Sequence, residues 1–261
     1  MRAAIGMEVI QTYQPTGGGT RALMIEIAEP ASFTTPTRIQ QILEHRVEYS
    51  APPTQDTVRT DAHGNRVRVV TWDPLPGEVQ VRIRYRVSAE LRLTTLESRA
   101  PYPVAGLSGE PSRYLAATPL VQRDDPEIQA LARRLVAGAR SQQEAVTNLL
   151  NFVVDHLRYA IDPDQYDARF SLDRRIGNCQ NYSHLSLALL RAAGIPARIV
   201  GGWSLAKAWQ VATGQGTLTS KNGQGRHAWI EVYYPDLGWV PYDAQISHAF
   251  VDTRYIRELV G

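Results

Sequence analysis

The run Gly177–Trp203, GNCQNYSHLSLALLRAAGIPARIVGGW, admits few folds. It reads as a tight loop, then a helix, then a buried strand, and each change of state carries its own signal. Asn178 is suited to cap the helix, because its side-chain oxygen accepts a hydrogen bond from an orphan N–H of the first turn. Gly194 followed by Pro196 supplies the stop, a left-handed glycine and then a residue that cannot continue the helix. The chain's only cysteine, Cys179, falls on the first helical position. Free N–H groups and the positive end of the helix dipole stabilise negative charge on a sulfur placed there. A lone cysteine is more often a small buried hydrophobe, but the polar neighbours Asn178, Gln180 and Asn181 argue against that burial.

Length and composition narrow the alternatives. A chain of 261 residues forms one large domain or two ordinary ones, and 43% hydrophobic with 21% charged residues is the composition of a globular protein with a substantial core. The net charge of +2 and the absence of a basic block give no footprint for nucleic acid. A single cysteine excludes an internal disulfide framework and any cysteine-rich zinc site. No cofactor or metal is expected. The opening MRAAIGMEVIQTYQ lacks the apolar run of a signal peptide, and no stretch is long enough to span a bilayer. A cytoplasmic protein without a membrane partner is therefore expected.

Residues 1–112 carry strand signals. Ala22–Ala28 is a short apolar run, and Thr37–Tyr49 is mixed and resists assignment. Arg66–Trp72 and Glu78–Leu93 alternate between apolar and polar residues. Val79, Val81, Ile83, Tyr85 and Val87 then share one face, with Gln80, Arg82, Arg84 and Arg86 on the other as a solvated outer surface. Asp61-Ala-His63-Gly64-Asn65 is a turn between two extended stretches. The expectation is an antiparallel β-sandwich of immunoglobulin-like size. The Pro-, Gly- and Ser-rich Pro101–Pro111 marks a boundary.

Residues 113–261 read as α+β, helices first and an antiparallel sheet after. Asp125-Pro126 opens one helix, with Ile128, Leu131 and Leu135 at helical spacing. Ser141-Gln-Gln-Glu144 is a capping box opening a second helix through Leu157. After the cysteine helix come a strand, Ala197–Trp203, and a polar, glycine-rich loop, Ser204–Arg226, of the kind that serves as a movable lid. The end is a hairpin, HAWIEVYY, turn PDLG, WVPYDA.

A thiolate nucleophile needs a base, and the base needs an orienting group. His227 opens the first strand of that hairpin and Asp243 lies near the end of the second. If Pro235–Gly238 is a regular four-residue loop, Tyr234 lies opposite Trp239 and Asp243 opposite Ile230, on the wrong face for His227. Bringing the two together requires Tyr233 to pair with Leu237, or a bulge near Pro241. His184, five residues along the cysteine helix, points partly away and reads as structural. Trp203, Trp209 and Trp229 are candidates for cleft walls, the first and last equally for core.

Gly177-Asn-Cys179, then Arg191-Ala-Ala-Gly-Ile-Pro-Ala-Arg198, then His227-Ala-Trp229-Ile-Glu-Val, then Gly238-Trp-Val-Pro-Tyr-Asp243 together resemble the transglutaminase-like superfamily of papain-like thiol enzymes. Its pattern of G-x-C, G-I-P-A-R, H-A-W and W-x-x-x-D occurs here in order, over roughly Leu115 to Asp243. The β-rich region before it is similar to the N-terminal domain of bacterial members of cysteine-protease type. The resemblance implies a papain-like core over residues 113–261, with Cys179 as nucleophile, His227 as base and Asp243 as the orienting acid. Many relatives carry an acidic residue beside the cysteine, where this chain has Asn178 and Gln180; that difference leaves the helix dipole uncompensated and points to a different substrate.

The reaction implied is acyl transfer on a peptide-like amide through a thioester, resolved by water as in a protease or amidase, or by an amine as in a transglutaminase. The Cys179 N–H is one oxyanion donor. Tyr159 is the second by resemblance and by its hydroxyl, with Gln180 as the alternative. The other reading is a catalytically silent binding module, whose members usually lose the cysteine or histidine kept here. Peptide N-glycanase is disfavoured by the absence of zinc-binding cysteine pairs, an arylamine acetyltransferase by the leading β domain, and calcium activation by the lack of a dense acidic loop.

Overall fold

Alternation sets the architecture of the first third. The computed structural model describes residues 1–16, 19, 21–92, 97–205, 209–213, 216–220, 225–246 and 251–261. Its first seven strands are β1 (Arg2–Tyr13), β2 (Leu23–Glu29), β3 (Phe33–Thr34), β4 (Arg38–Tyr49), β5 (Gln55–Thr60), β6 (Arg66–Trp72) and β7 (Val79–Leu91). They form two antiparallel sheets of order β1-β7-β4-β3 and β2-β6-β5. The alternating residues of β7 are buried without a break from Val79 to Leu91, and pack with Ile25, Ile27, Val70 and Trp72 of the other sheet. The arginines of the outer face do not stand alone: Arg84 pairs with Glu8 at 2.8 Å and Glu48 at 3.1 Å, joining β1, β7 and β4. The mixed stretch Thr37–Tyr49 is strand β4, bulged between Ile42 and Glu44, which breaks the period-2 pattern that would have revealed it.

A 3₁₀ segment, Glu110–Leu115, leads into α1 (Pro126–Leu135), α2 (Gln142–His156), the two-residue β8 (Arg158–Tyr159), α3 (Ala168–Arg174), β9 (Ile176–Gly177) and α4 (Cys179–Ala192). The caps fall where the side chains dictate. Asp125 accepts from the N–H groups of Glu127 and Ile128, and Ser141 from that of Glu144. The Glu144 carboxylate takes the Arg140 N–H at 3.0 Å rather than closing the box on Ser141. Helix α4 is buried continuously from Asn181 to Arg191 and packs against the other three helices and the following sheet. It ends in a Schellman motif: Gly194 is left-handed (φ 77°), its N–H donates to Arg191 O at 3.1 Å, and the Ile195 N–H donates to Leu190 O at 2.9 Å.

The sheet after α4 has the order β14-β13-β10-β15, from β10 (Ala197–Ser204), β13 (Gly225–Tyr234), β14 (Gly238–Tyr242) and β15 (Tyr255–Val260). The span read as a loop, Ser204–Arg226, contains a two-stranded hairpin, β11 (Trp209–Thr213) with β12 (Gly216–Ser220); the rest of the lid expectation falls largely outside the described residues. Strand β15 was not anticipated, because YIRELV has no turn linking it to a neighbouring strand. Its outer edge is covered by side chains of the first two sheets. Arg38 donates to Tyr255 O, Gln40 exchanges hydrogen bonds with the Arg257 N–H and C=O at 2.9 Å each, and Asn65 does the same with Val260 at 2.9 and 2.6 Å. These contacts satisfy an edge that would otherwise offer unpaired backbone groups, and Ile256 of β15 enters the core of the N-terminal sheets.

Candidate active site

Cys179 is half-buried at the first position of α4. Asn178 accepts from the Gln180 N–H at 3.0 Å, while its own N–H donates to Asn181 Oδ1 at 3.2 Å. The same two asparagines fasten the preceding loop. Asn178 Nδ2 donates to Ile161 O at 3.2 Å, and Asn181 Nδ2 to Gln165 O and Ser171 Oγ at 2.9 Å each. Gly177 has no substitute, because an added Cβ would lie 2.2 Å from Asn181 Cβ. Tyr159 pairs with Gly177 across the short parallel bridge and is half exposed; its hydroxyl is pushed up in pKa by partial burial and then by the charge of Cys179. Gln180 is exposed on the rim beside the cysteine.

The hairpin resolves its phase in a way not foreseen. Tyr234 pairs with Gly238, not Trp239, and Pro241 pairs regularly with Glu231, with no bulge. The reason lies in the turn. The Leu237 N–H returns to Tyr234 O at 3.3 Å, and Gly238 then takes a left-handed conformation (φ 68°) inside the pairing. This is a three-residue loop closed by a glycine, a common hairpin solution. It removes one residue from the expected loop, so Asp243 follows Tyr242, the partner of Ile230, and falls on the face shared by His227 and Trp229.

His227 Nε2 lies 2.7 Å from Asp243 Oδ2, and both side chains are buried. The Cys179 side chain is within hydrogen-bonding reach of the imidazole. Burial pushes the imidazole toward its neutral form, but the Asp243 charge and hydrogen bond, reinforced by Cys179, overcome it and raise His227 to about 10. Asp243 Oδ1 accepts from the Gln245 N–H at 3.0 Å, and Oδ2 also accepts from the Tyr255 hydroxyl at 2.9 Å. Trp229 is core rather than cleft wall: its ring lies nearly parallel to His227, with centroids 6.0 Å apart, and beneath it. Trp203 packs on the N-terminal core, and the side chain of Trp209 lies outside the described residues. His184 is buried, with Nδ1 donating to Tyr166 O at 2.6 Å.

Cys179 and His227 open onto a cleft of about 530 Å³. One wall is the Asp61–Asn65 turn of the N-terminal sheets, contributing Asp61, His63 and Asn65, and another is Glu258 of β15. Sequence reasoning missed these residues, since nothing local ties a turn near residue 63 to a cysteine at 179. Below the cleft, Glu231 of the HAWIEV segment is buried between Arg198, at 2.7 and 2.9 Å, and Arg257, at 3.0 and 3.3 Å. That network explains the arginine that closes the GIPAR segment, which clamps β10 to β13 from beneath.

A buried helix presenting a cysteine at its start, packed on an antiparallel sheet that brings a histidine and an aspartate together on one face, is the plan of a papain-like core. Residues 129–244 match the transglutaminase-like superfamily, and the chain therefore carries a transglutaminase-like domain. Over 200 residues it is 29% identical to the uncharacterized protein YebA of Bacillus subtilis (strain 168), covering 72% of this chain and 27% of that protein. Over 166 residues it is 29% identical to a protein-glutamine gamma-glutamyltransferase of Pseudomonas aeruginosa, covering 62% of this chain and 24% of that protein. The chain thus spans about a quarter of the length of these curated relatives, 27% and 24%. A crystal structure described as "a Putative Cysteine Protease from Cytophaga hutchinsonii" has the same fold over 100% of this chain and 84% of that one, with a TM-score of 0.74 at 18% identity. No helix among the described residues is long and apolar enough to cross a membrane.

Proposed function

We propose that the protein is a thiol-dependent acyl-transfer enzyme acting on peptide-like amides, with Cys179 as nucleophile, His227 as general acid and base, and Asp243 as the group that orients it. The observation that carries this reading is the position of His227, held at 2.7 Å by Asp243 and within hydrogen-bonding reach of the Cys179 side chain. An imidazole kept protonated to about pH 10 is poised to stand opposite a thiolate and to give its proton to a departing amine.

The Cys179 sulfur attacks the amide carbonyl, and the carbonyl oxygen takes up the negative charge. The backbone N–H of Cys179, unpartnered by helix geometry at this position, and the Tyr159 hydroxyl donate to that oxygen, with the Gln180 side chain as the alternative second donor. One such donor supplies about 3 kcal/mol of transition-state stabilisation. Collapse expels the amine, which takes the His227 proton, and leaves a thioester on Cys179. Water or a second amine then attacks as His227 accepts its proton, and the thiolate departs. The similarity to a protein-glutamine gamma-glutamyltransferase supports a protein or peptide as the acyl donor. The two N-terminal sheets, read as a β-sandwich, supply one wall of the cleft and so take part in choosing that donor.

Two measurements test the reading. Iodoacetamide alkylation of Cys179 at pH 6 is expected to be far faster than that of a free cysteine. The thioester formed with peptide pools is expected as a mass adduct on Cys179, absent in Cys179→Ala. An alanine variant that hydrolyses peptides or incorporates a primary-amine probe as fast as the parent sinks the proposal.

A further inference from the structure

The Asp243 carboxylate is held at both oxygens. The Gln245 N–H occupies Oδ1 at 3.0 Å, and the Tyr255 hydroxyl donates to Oδ2 at 2.9 Å, the oxygen that also meets His227 Nε2. Two donors on different oxygens fix the carboxylate plane, leaving a lone pair of Oδ2 for the imidazole. Tyr255 is buried to 1% exposure, packs edge-on to Trp229 with centroids 5.3 Å apart, and lies 5.9 Å from the His227 ring. It comes from β15, a strand with no catalytic role in the reading above. Its carbonyl accepts from Arg38, a residue of β4 in the N-terminal sheet that is 2% exposed.

We propose that Tyr255 is a positioning residue of this site: its hydroxyl fixes the Asp243 carboxylate and limits how tightly that carboxylate holds the His227 proton, while Arg38 seats Tyr255 from the N-terminal sheet. The inference rests on the roles given above to His227 and Asp243. The physical basis is direct. A hydrogen bond donated to an anion lowers the anion's attraction for any other proton. Tyr255 and His227 share one oxygen, so what the phenol takes from Oδ2 the imidazolium loses. Among the charged and titratable groups around the pair are Cys179 beside the imidazole and, interacting with Tyr255, Arg38 and Arg254; Glu231, Asp252 and Arg257 act in turn on Arg38.

The test is a titration of the His227 imidazole by histidine-labelled NMR on the full chain, with His227→Asn used for assignment. Tyr255→Phe keeps the ring and removes the hydroxyl, and the His227 midpoint is expected to move up by roughly 0.5–1 pH unit. Site-specific 3,5-difluorotyrosine at position 255 makes the phenol a stronger donor and is expected to move the midpoint down. Neither change is expected to move it in an Asp243→Asn background. A residue that merely fills space produces no shift of opposite sign and no dependence on Asp243. Midpoints equal to the parent's in both Tyr255 variants overturn the proposal, as does a shift that persists without the Asp243 carboxylate. Alkylation of parental Cys179 at pH 6 is measured alongside. If it is no faster than a free cysteine, the catalytic reading fails; if it is fast while the Tyr255 variants titrate like the parent, only the role of Tyr255 fails.

Discussion

At the scale of single side chains, the electrostatics of the cleft turn on His227, whose burial works against its charge and whose neighbours restore it. The folded-state value of about 10 lies above the 6.5 of an unperturbed histidine. The protonated ring is therefore stabilised by folding, and the sign follows by linkage. The contribution is complete below about pH 6.5 and is lost as pH rises through about 10. His227→Gln carries no such titration. The stability of the parent relative to this variant is expected to narrow steadily between those two values, as urea melts at a series of pH values will show. A margin that stays constant or widens across the window contradicts the account. Cys179 and the cap at Asn178 were legible from sequence because both depend on neighbours within one turn of helix. The Tyr255 hydroxyl was not, since its partner Asp243 lies just beyond a different strand, β14.

At the scale of elements, the hairpin β13–β14 decides whether the histidine and the aspartate meet. Strand side chains alternate faces, so one residue more or less in the loop moves Asp243 to the opposite side. Gly238 is what makes the loop short, since it alone tolerates φ 68° at no steric cost while remaining paired with Tyr234. Inserting one glycine between Asp236 and Leu237 is expected to leave the core folded, with circular dichroism near that of the parent, and to lower Cys179 alkylation at pH 6 at least tenfold. Full reactivity in the insertion variant would show that Asp243 is dispensable. The motifs on both strands were visible in the sequence, but the phase between them was not. Loop sequences of this kind are compatible with two closures, and the difference between them is the backbone angle of a single glycine.

At the scale of the whole molecule, the two halves are joined along β15. The strand hydrogen bonds to β10 on one edge, while its other edge is occupied by Arg38, Gln40 and Asn65. Gly202 makes this approach feasible: an added Cβ there would sit 2.0 Å from Ile256 O. The register shift between Gly201 and Gly202 leaves Glu258 outside the pairing, and its carboxylate accepts from Tyr85 at 2.7 Å, Trp203 at 3.0 Å and Arg226 at 2.7 Å. Gln40→Ala leaves the Arg257 N–H and C=O without these partners, at an expected cost of about 1–3 kcal/mol in urea melts. Hydrogen exchange is expected to accelerate at the Arg257 amide while α4 remains protected. An Arg257 amide that exchanges as slowly as before would show that the edge is held by other means.

The sequence by itself determined the helix, its caps, the alternating strands and the order of the motifs, because each follows from interactions within a few residues along the chain. It also marked Cys179, His227 and Asp243 as a set through their resemblance to a known plan. Only the tertiary structure decided that the hairpin closes in the phase that joins His227 to Asp243, that a turn at Asp61–Asn65 walls the cleft, and that a last strand brings Tyr255 beneath the carboxylate. Those outcomes depend on one backbone angle and on contacts between residues separated by tens to hundreds of positions, which no local pattern encodes.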